Sequence, residues 1–156
     1  MKVHTLEQTQ FLPITLDEAW DFFSSPRNLD KITSDDVGFK ILSVSGDKIH
    51  SGQIITYKIT VPPGIPMTWV TEITHVDHKK SFVDDQRFGP YKLWHHRHSF
   101  EEVEGGIEMH DLIHYALPVS PFGEIAHAPF VRPQLEKIFK SRREMLDKHF
   151  TPPASP

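Results

Sequence analysis

Residues 82–100, FVDDQRFGPYKLWHHRHSF, constrain the fold more than any other stretch. They read as two strands around a Gly89-Pro90 turn. Side chains alternate across a strand, so Trp94, His96, His98 and Phe100 fall on one face of the second strand. Two imidazoles set between two aromatics suit the wall of a partly polar, enclosed pocket better than a plain apolar core. The same alternation groups Asp84 and Gln86 with Phe82, and turns Asp85 and Arg87 to the other side.

Strands surround this segment. Alternation and turn residues predict strands over 3–11, 39–44, 53–61, 68–76, 81–87, 93–103 and 107–117, with Gly105-Gly106 as a hairpin turn. Pro62-Pro63-Gly64 and Pro66 are expected to break the third. After the first strand, Thr15 and Glu18 match a capping box ahead of a short helix whose apolar face is Trp20, Phe22 and Phe23. Ser25-Pro26 opens a second short helix that packs Leu29 and Ile32 inward, and both helices are expected to be simple core cover. Residues 118–133, with four prolines, read as irregular. Leu135, Ile138, Phe139, Arg142, Met145, Leu146 and Phe150 then recur at three- and four-residue spacing, an amphipathic helix of about four turns. The sum is an α+β fold: a curved antiparallel sheet wrapped around one long C-terminal helix, with an internal hydrophobic cavity between them.

Register decides what the histidines can do. A two-residue Gly105-Gly106 turn opposes Phe100 to Asp111, His98 to Ile113 and His96 to Tyr115; a three-residue loop opposes Phe100 to His110, His98 to Leu112 and His96 to His114. Ile107, Met109, Ile113, Tyr115 and Leu117 make the odd face apolar, which selects the first register. His96, His98, Asp111 and Tyr115 then share the inner face, while His95, Arg97, His110 and His114 point outward. An inward Asp111 needs partners, and imidazoles across the strands can supply them. Three readings of the cluster stay open: a satisfied network that pins register, a site that orients a ligand, or a histidine acting as general base. Arg142, on the apolar side of the helix, either snorkels outward, pairs with Asp84 or Asp111, or holds a ligand carboxylate, the first two being favoured. His96, His98 and Asp111 also make a two-histidine, one-carboxylate set, but with 11 histidines in the chain such spacing arises readily, and no metal or cofactor is expected.

Composition narrows the function classes. The 156 residues are expected to form one domain over 1–150 with a disordered tail at 151–156. A net charge of −4 without a basic run argues against nucleic acid, and the absence of cysteine removes disulfides, thiolate metal sites and thiol nucleophiles. No apolar run approaches a membrane span and the N-terminus has no secretory pattern, so a cytoplasmic location is expected. No Gly-rich phosphate loop, dinucleotide fingerprint or nucleophile elbow is present.

A wider set of residues resembles one superfamily. Phe82, Asp84, Gln86, Gly89-Pro90-Tyr91, Trp94, His96, His98 and Phe100 form a central signature. Asp111, Tyr115-Ala116-Leu117-Pro118, Pro121-Phe122-Gly123, and Leu135 through Ile138-Phe139 to Arg142 extend it over nearly the whole chain. With the order strand, two short helices, strand meander and long helix, this is similar to the START-like (SRPBCC) superfamily of helix-grip proteins, and within it to a branch described as ligand-binding. The superfamily includes birch-pollen-allergen types, polyketide cyclases and aromatases, lipid-transfer domains and coenzyme-Q-binding proteins. The resemblance implies the helix-grip fold and a hydrophobic cavity, not one activity. Pro129 and Pro133 near the start of the long helix depart from a smooth helix and bear on the cavity mouth.

The first expectation is a binder or carrier of a small hydrophobic molecule: a lipid, isoprenoid or polyketide-like aromatic. His96, His98 and Tyr115 would orient its polar end, and Tyr57, Phe82, Trp94, Phe100, Leu135 and Phe139 would touch its apolar body. Asp84, Asp111 and Arg142 complete the candidate site. The alternatives are a cyclase- or aromatase-type enzyme using a cavity histidine as acid–base, and a non-catalytic adaptor whose core is full.

Overall fold

The computed structural model describes residues 2–33, 38–61, 64–118 and 130–151, apart from the side chain of Asp30. Most of the stretch expected to be irregular, including Pro121, Phe122, Gly123 and Pro129, lies outside the described residues, as does the tail beyond Thr151.

Seven strands form one antiparallel sheet: β1 (His4–Leu12), β2 (Lys40–Val44), β3 (Gln53–Val61), β4 (Ile65–Asp77), β5 (Ser81–Phe88), β6 (Leu93–Val103) and β7 (Gly106–Ala116). The spatial order is β1-β7-β6-β5-β4-β3-β2. Helix α1 (Leu16–Phe23) follows β1, and Thr15 and Glu18 close the expected capping box, with Thr15 N–H donating to Glu18 Oε2 at 2.8 Å and Glu18 N–H to Thr15 Oγ1 at 3.2 Å. The second short helix is a 3-10 helix, Pro26–Ile32, with Pro26 in its first turn. Helix α2 (Arg132–Phe150) is 19 residues long, about five turns rather than four. Pro133 sits in its first turn, where the missing N–H has no intrahelical partner to lose, so it starts the helix instead of kinking it.

Two strand boundaries differ from expectation for physical reasons. β4 begins at Ile65 and includes Pro66, because β5 pairs with β4 only from Val70 onward and Pro66 has a neighbour on one side alone. The β6–β7 turn is Glu104-Gly105, and Gly106 already pairs with Val103. Gly105 has φ +83°, the left-handed conformation that the turn requires. The register is therefore shifted by two residues: His98 faces Asp111, His96 faces Ile113 and Trp94 faces Tyr115. A shift of two preserves side-chain faces, so the inward and outward sets stand as expected.

The interior has two apolar halves. One packs Leu12, Trp20, Phe22, Phe23, Phe82, Phe100, Ile107 and Met109 beneath α1 and against Leu146 of α2. The other packs Ile59, Trp69, Trp94, Ile113 and Tyr115 against Leu135 and Phe139. Gln10 ties β1 to α2, its Nε2–H donating to Arg143 O at 3.0 Å and to Asp147 Oδ1 at 2.8 Å. Between the inward residues Leu135 and Phe139 on one side and Leu146 on the other comes Arg142, and the sheet below it is polar.

Candidate functional site

The polar belt is assembled by strand register. Asp84 on β5 stands opposite His96 on β6, and His98 stands opposite Asp111 on β7. All point to the concave side, and α2 lays Arg142 over them. Asp111 is 0% exposed and the two histidines 4% each. His96 Nε2 lies 3.1 Å from Asp111 Oδ1, and His98 Nδ1 lies 2.8 Å from the same oxygen but off the line of a good hydrogen bond. On their other sides, His98 Nε2 is 2.8 Å and His96 Nδ1 3.6 Å from Asp84 Oδ2. The two imidazole centroids are 3.7 Å apart. Among the described residues, Arg142 Nε and Asp111 Oδ2 are buried without a hydrogen-bond partner.

Electrostatics separates the four groups. Burial works against ionised Asp111, but the Arg142 charge and the two histidines outweigh it and hold the carboxyl well below its ordinary range. Asp84 follows the same logic, burial being outweighed by His96, His98 and Arg142. Burial and the neighbouring His98 charge lower His96 despite both carboxylates. Burial also opposes charge on His98, but its contacts with Asp111 and Asp84 win and raise it. Two adjacent histidines are thus poised in opposite senses.

The belt separates two voids. A cavity of about 220 Å³ lies between the sheet and the N-terminal half of α2, walled by Tyr57, Ile59, Trp69, Tyr91, Trp94, Leu135, Ile138 and Phe139. A second, of about 90 Å³, lies beneath α1 and the 3-10 helix, walled by Phe22, Phe23, Pro26, Ile32, Ile55, Ile73 and Phe82. Leu29, Tyr57, Asp84, His98 and Arg142 line both. Thr71 Oγ1 accepts from Trp69 Nε1–H at 3.0 Å and lies 2.9 Å from the Tyr57 hydroxyl. Burial pushes the Tyr57 and Tyr91 hydroxyls up, so both stay protonated donors.

Solved structures share this architecture from end to end. Protein Ms6760 from Mycobacterium smegmatis is 19% identical, with a TM-score of 0.67 over 97% of each chain. Ginseng major latex-like protein 151 from Panax ginseng is 12% identical, with a TM-score of 0.63 over 96% of this chain and 99% of its own. Ara h 8.0201 is 17% identical, with a TM-score of 0.59 over 94% of this chain and 99% of its own. The chain has the helix-grip fold. No protein-family model and no curated protein sequence matches it.

Within the helix-grip frame most of the sequence-derived candidates come together. Tyr57, Asp84, Trp94, His96, His98, Leu135, Phe139 and Arg142 line the larger cavity, and Phe82 the smaller. Three do not reach either. Phe100 is packed in the α1 half of the core beside Trp20 and Phe23. Tyr115 is packed in the other half, its ring 5.4 Å from that of His4. Asp111 sits behind the two histidines. Arg142 is half-buried: its Nε is shut from solvent, and its charge lowers both carboxylates. Gln86 clamps the turn, donating Nε2–H to Tyr91 O at 2.6 Å and accepting Tyr91 N–H at 3.1 Å. His95 and His110 face outward and pair with Asp85 and Glu7 at 2.8 Å or less.

Sequence reading missed the role of the short helices. Phe22, Phe23, Pro26 and Leu29 wall the smaller cavity instead of merely covering core. Large aromatics on an eight-residue helix gave the only signal, and they suit either role. Trp69 and Tyr91 both line the larger cavity as well. Among the described residues, no helix is long and apolar enough to cross a membrane.

Proposed function

We propose that the chain binds and carries a small hydrophobic molecule with a polar group, held in the larger cavity. One observation carries this reading: a void of about 220 Å³ with apolar and aromatic walls ends on a charged belt of the buried His96 and His98 and the half-buried Asp84 and Arg142. An apolar cavity of about 150 Å³ is enough to take up benzene. A one- or two-ring aromatic, or an acyl compound of similar bulk, suits the volume better than a long-chain lipid. The aromatic walls supply contact area, and the belt supplies orientation. The adaptor alternative required a filled core, and the cavity weighs against it.

The test uses native mass spectrometry of gently purified protein, then denaturing extraction, with tryptophan emission as the solution readout. Trp69 and Trp94 wall the cavity while Trp20 lies outside both voids. A stoichiometric aromatic or acyl adduct is expected, with emission changes that vanish in Trp69→Phe/Trp94→Phe. A chain carrying nothing extractable, and optically silent to aromatic acids, aryl ketones and short acyl acids, sinks the reading.

A second reading is an acid–base enzyme acting beside a carbonyl. It is favoured by the two imidazoles in one cavity wall, one placed to take a proton and the other to stabilise an oxyanion. Turnover lost in His96→Ala or His98→Ala with binding retained is expected on that reading; turnover unchanged in both excludes it.

A further inference from the structure

We propose that Asp84, His96 and His98 form a three-donor site for a divalent transition metal of the zinc type, with the remaining coordination position open to the larger cavity. The three donor atoms lie within 4.8 Å of one another. Asp84 Oδ2 is 2.8 Å from His98 Nε2 and 3.6 Å from His96 Nδ1. Ligand atoms on a tetrahedral zinc with bonds of about 2.0–2.1 Å stand about 3.3 Å apart, so these two separations bracket the required spacing. Asp84 takes the place that strand spacing alone assigned to Asp111.

Asp111 has a different part. Its Oδ1 lies 3.1 Å from His96 Nε2 and 2.8 Å from His98 Nδ1, which are the nitrogens facing away from Asp84. A carboxylate behind a metal-binding imidazole is the usual device for fixing tautomer and ring direction; His96 Nε2 has that hydrogen bond, while the His98 Nδ1 contact is a close electrostatic one without good alignment. With the ring protons on the Asp111 side, His96 Nδ1, His98 Nε2 and Asp84 Oδ2 are three converging lone pairs. One proton can bridge the 2.8 Å pair, but it leaves the 3.6 Å contact unfilled; a metal ion satisfies all three. Arg142 offsets one of the two carboxylates, so with neutral rings the belt keeps a net negative charge for a cation. Two imidazoles and one carboxylate suit zinc, cobalt or iron(II) better than calcium or magnesium. The strands set this arrangement whichever organic molecule enters the cavity.

The experiment titrates the chelator-stripped full chain with Zn²⁺, and with Co²⁺ as an optical probe. One ion per chain is expected, with visible Co²⁺ bands. Asp84→Asn and His98→Ala should weaken binding at least about a hundredfold, and Asp111→Asn about 10–100-fold. His95→Ala and His110→Ala, on the surface, should leave binding unchanged. Absence of saturable binding overturns the proposal, as does binding lost in the surface variants but kept in the belt variants. Should the belt variants fail to fold, X-ray absorption on the metal-loaded wild type decides. Two imidazole nitrogens and a carboxylate oxygen at about 2.0–2.2 Å support the site, and any shell without paired imidazoles overturns it.

Discussion

Asp111 shows how much one side chain can organise. It is wholly buried, and a single oxygen serves two histidines on the neighbouring strand. Removing one member of a buried charged set strands the others, so Asp111→Ala is expected to cost about 3–5 kcal/mol, and Asp111→Asn less because it keeps volume and some hydrogen bonding. Denaturant unfolding measures both, and a loss under ~1 kcal/mol for the alanine variant would show that the belt does not stabilise the fold. The inward direction of Asp111, His96 and His98 was legible from alternation alone. Their pairing was not, because a register shift of two leaves every face unchanged while moving each partner along the strand. Asp84 was harder to read: a carboxylate in the string Asp84-Asp85-Gln86-Arg87 looks solvated until its neighbour across β5–β6 is known to be His96.

At the level of elements, the hairpin and the long helix behave differently. Gly106 begins β7 where β1 presses closest: a Cβ there would collide with the Leu12 carbonyl oxygen, which is backbone and cannot swing aside. Gly106→Ala is therefore expected to destabilise by about 1–3 kcal/mol, an overpacking cost, with hydrogen exchange accelerated first at the β1–β7 pair. Unchanged exchange along β1 would refute that assignment. Two adjacent glycines marked a turn in the sequence, but not which of them needed left-handed backbone and which needed only the lack of a side chain. Helix α2 was legible from Leu135 onward, since Leu135, Phe139, Arg142 and Leu146 keep helical spacing on one face, but its first turn around Pro133 was read as irregular. The meaning of an arginine at an inward position became plain only when the sheet beneath it proved polar.

Taken as a whole, the molecule separates stability from the larger void. Leu146 is 0% exposed and lies in the α1 half of the core, away from the cavity of about 220 Å³. Leu146→Ala should cost about 2–5 kcal/mol without altering ligand uptake, whereas Phe139→Ala, in the cavity wall, should change which ligand sizes are accepted. Equal effects of the two variants on uptake would mean that the halves are not independent. The sheet also has a temporal side. Every neighbouring pair from β2 to β7 is consecutive in sequence, but among the described residues β1 pairs with β7 alone, with Gln10 opposite Met109. At synthesis rates of about 5–20 residues per second, β1 leaves the ribosome roughly 5–20 s before its partner exists. Gln10 must wait longer still for Arg143 and Asp147 of α2. The interior is thus sealed by one late closure, and until then the histidines and carboxylates of the belt stand in water.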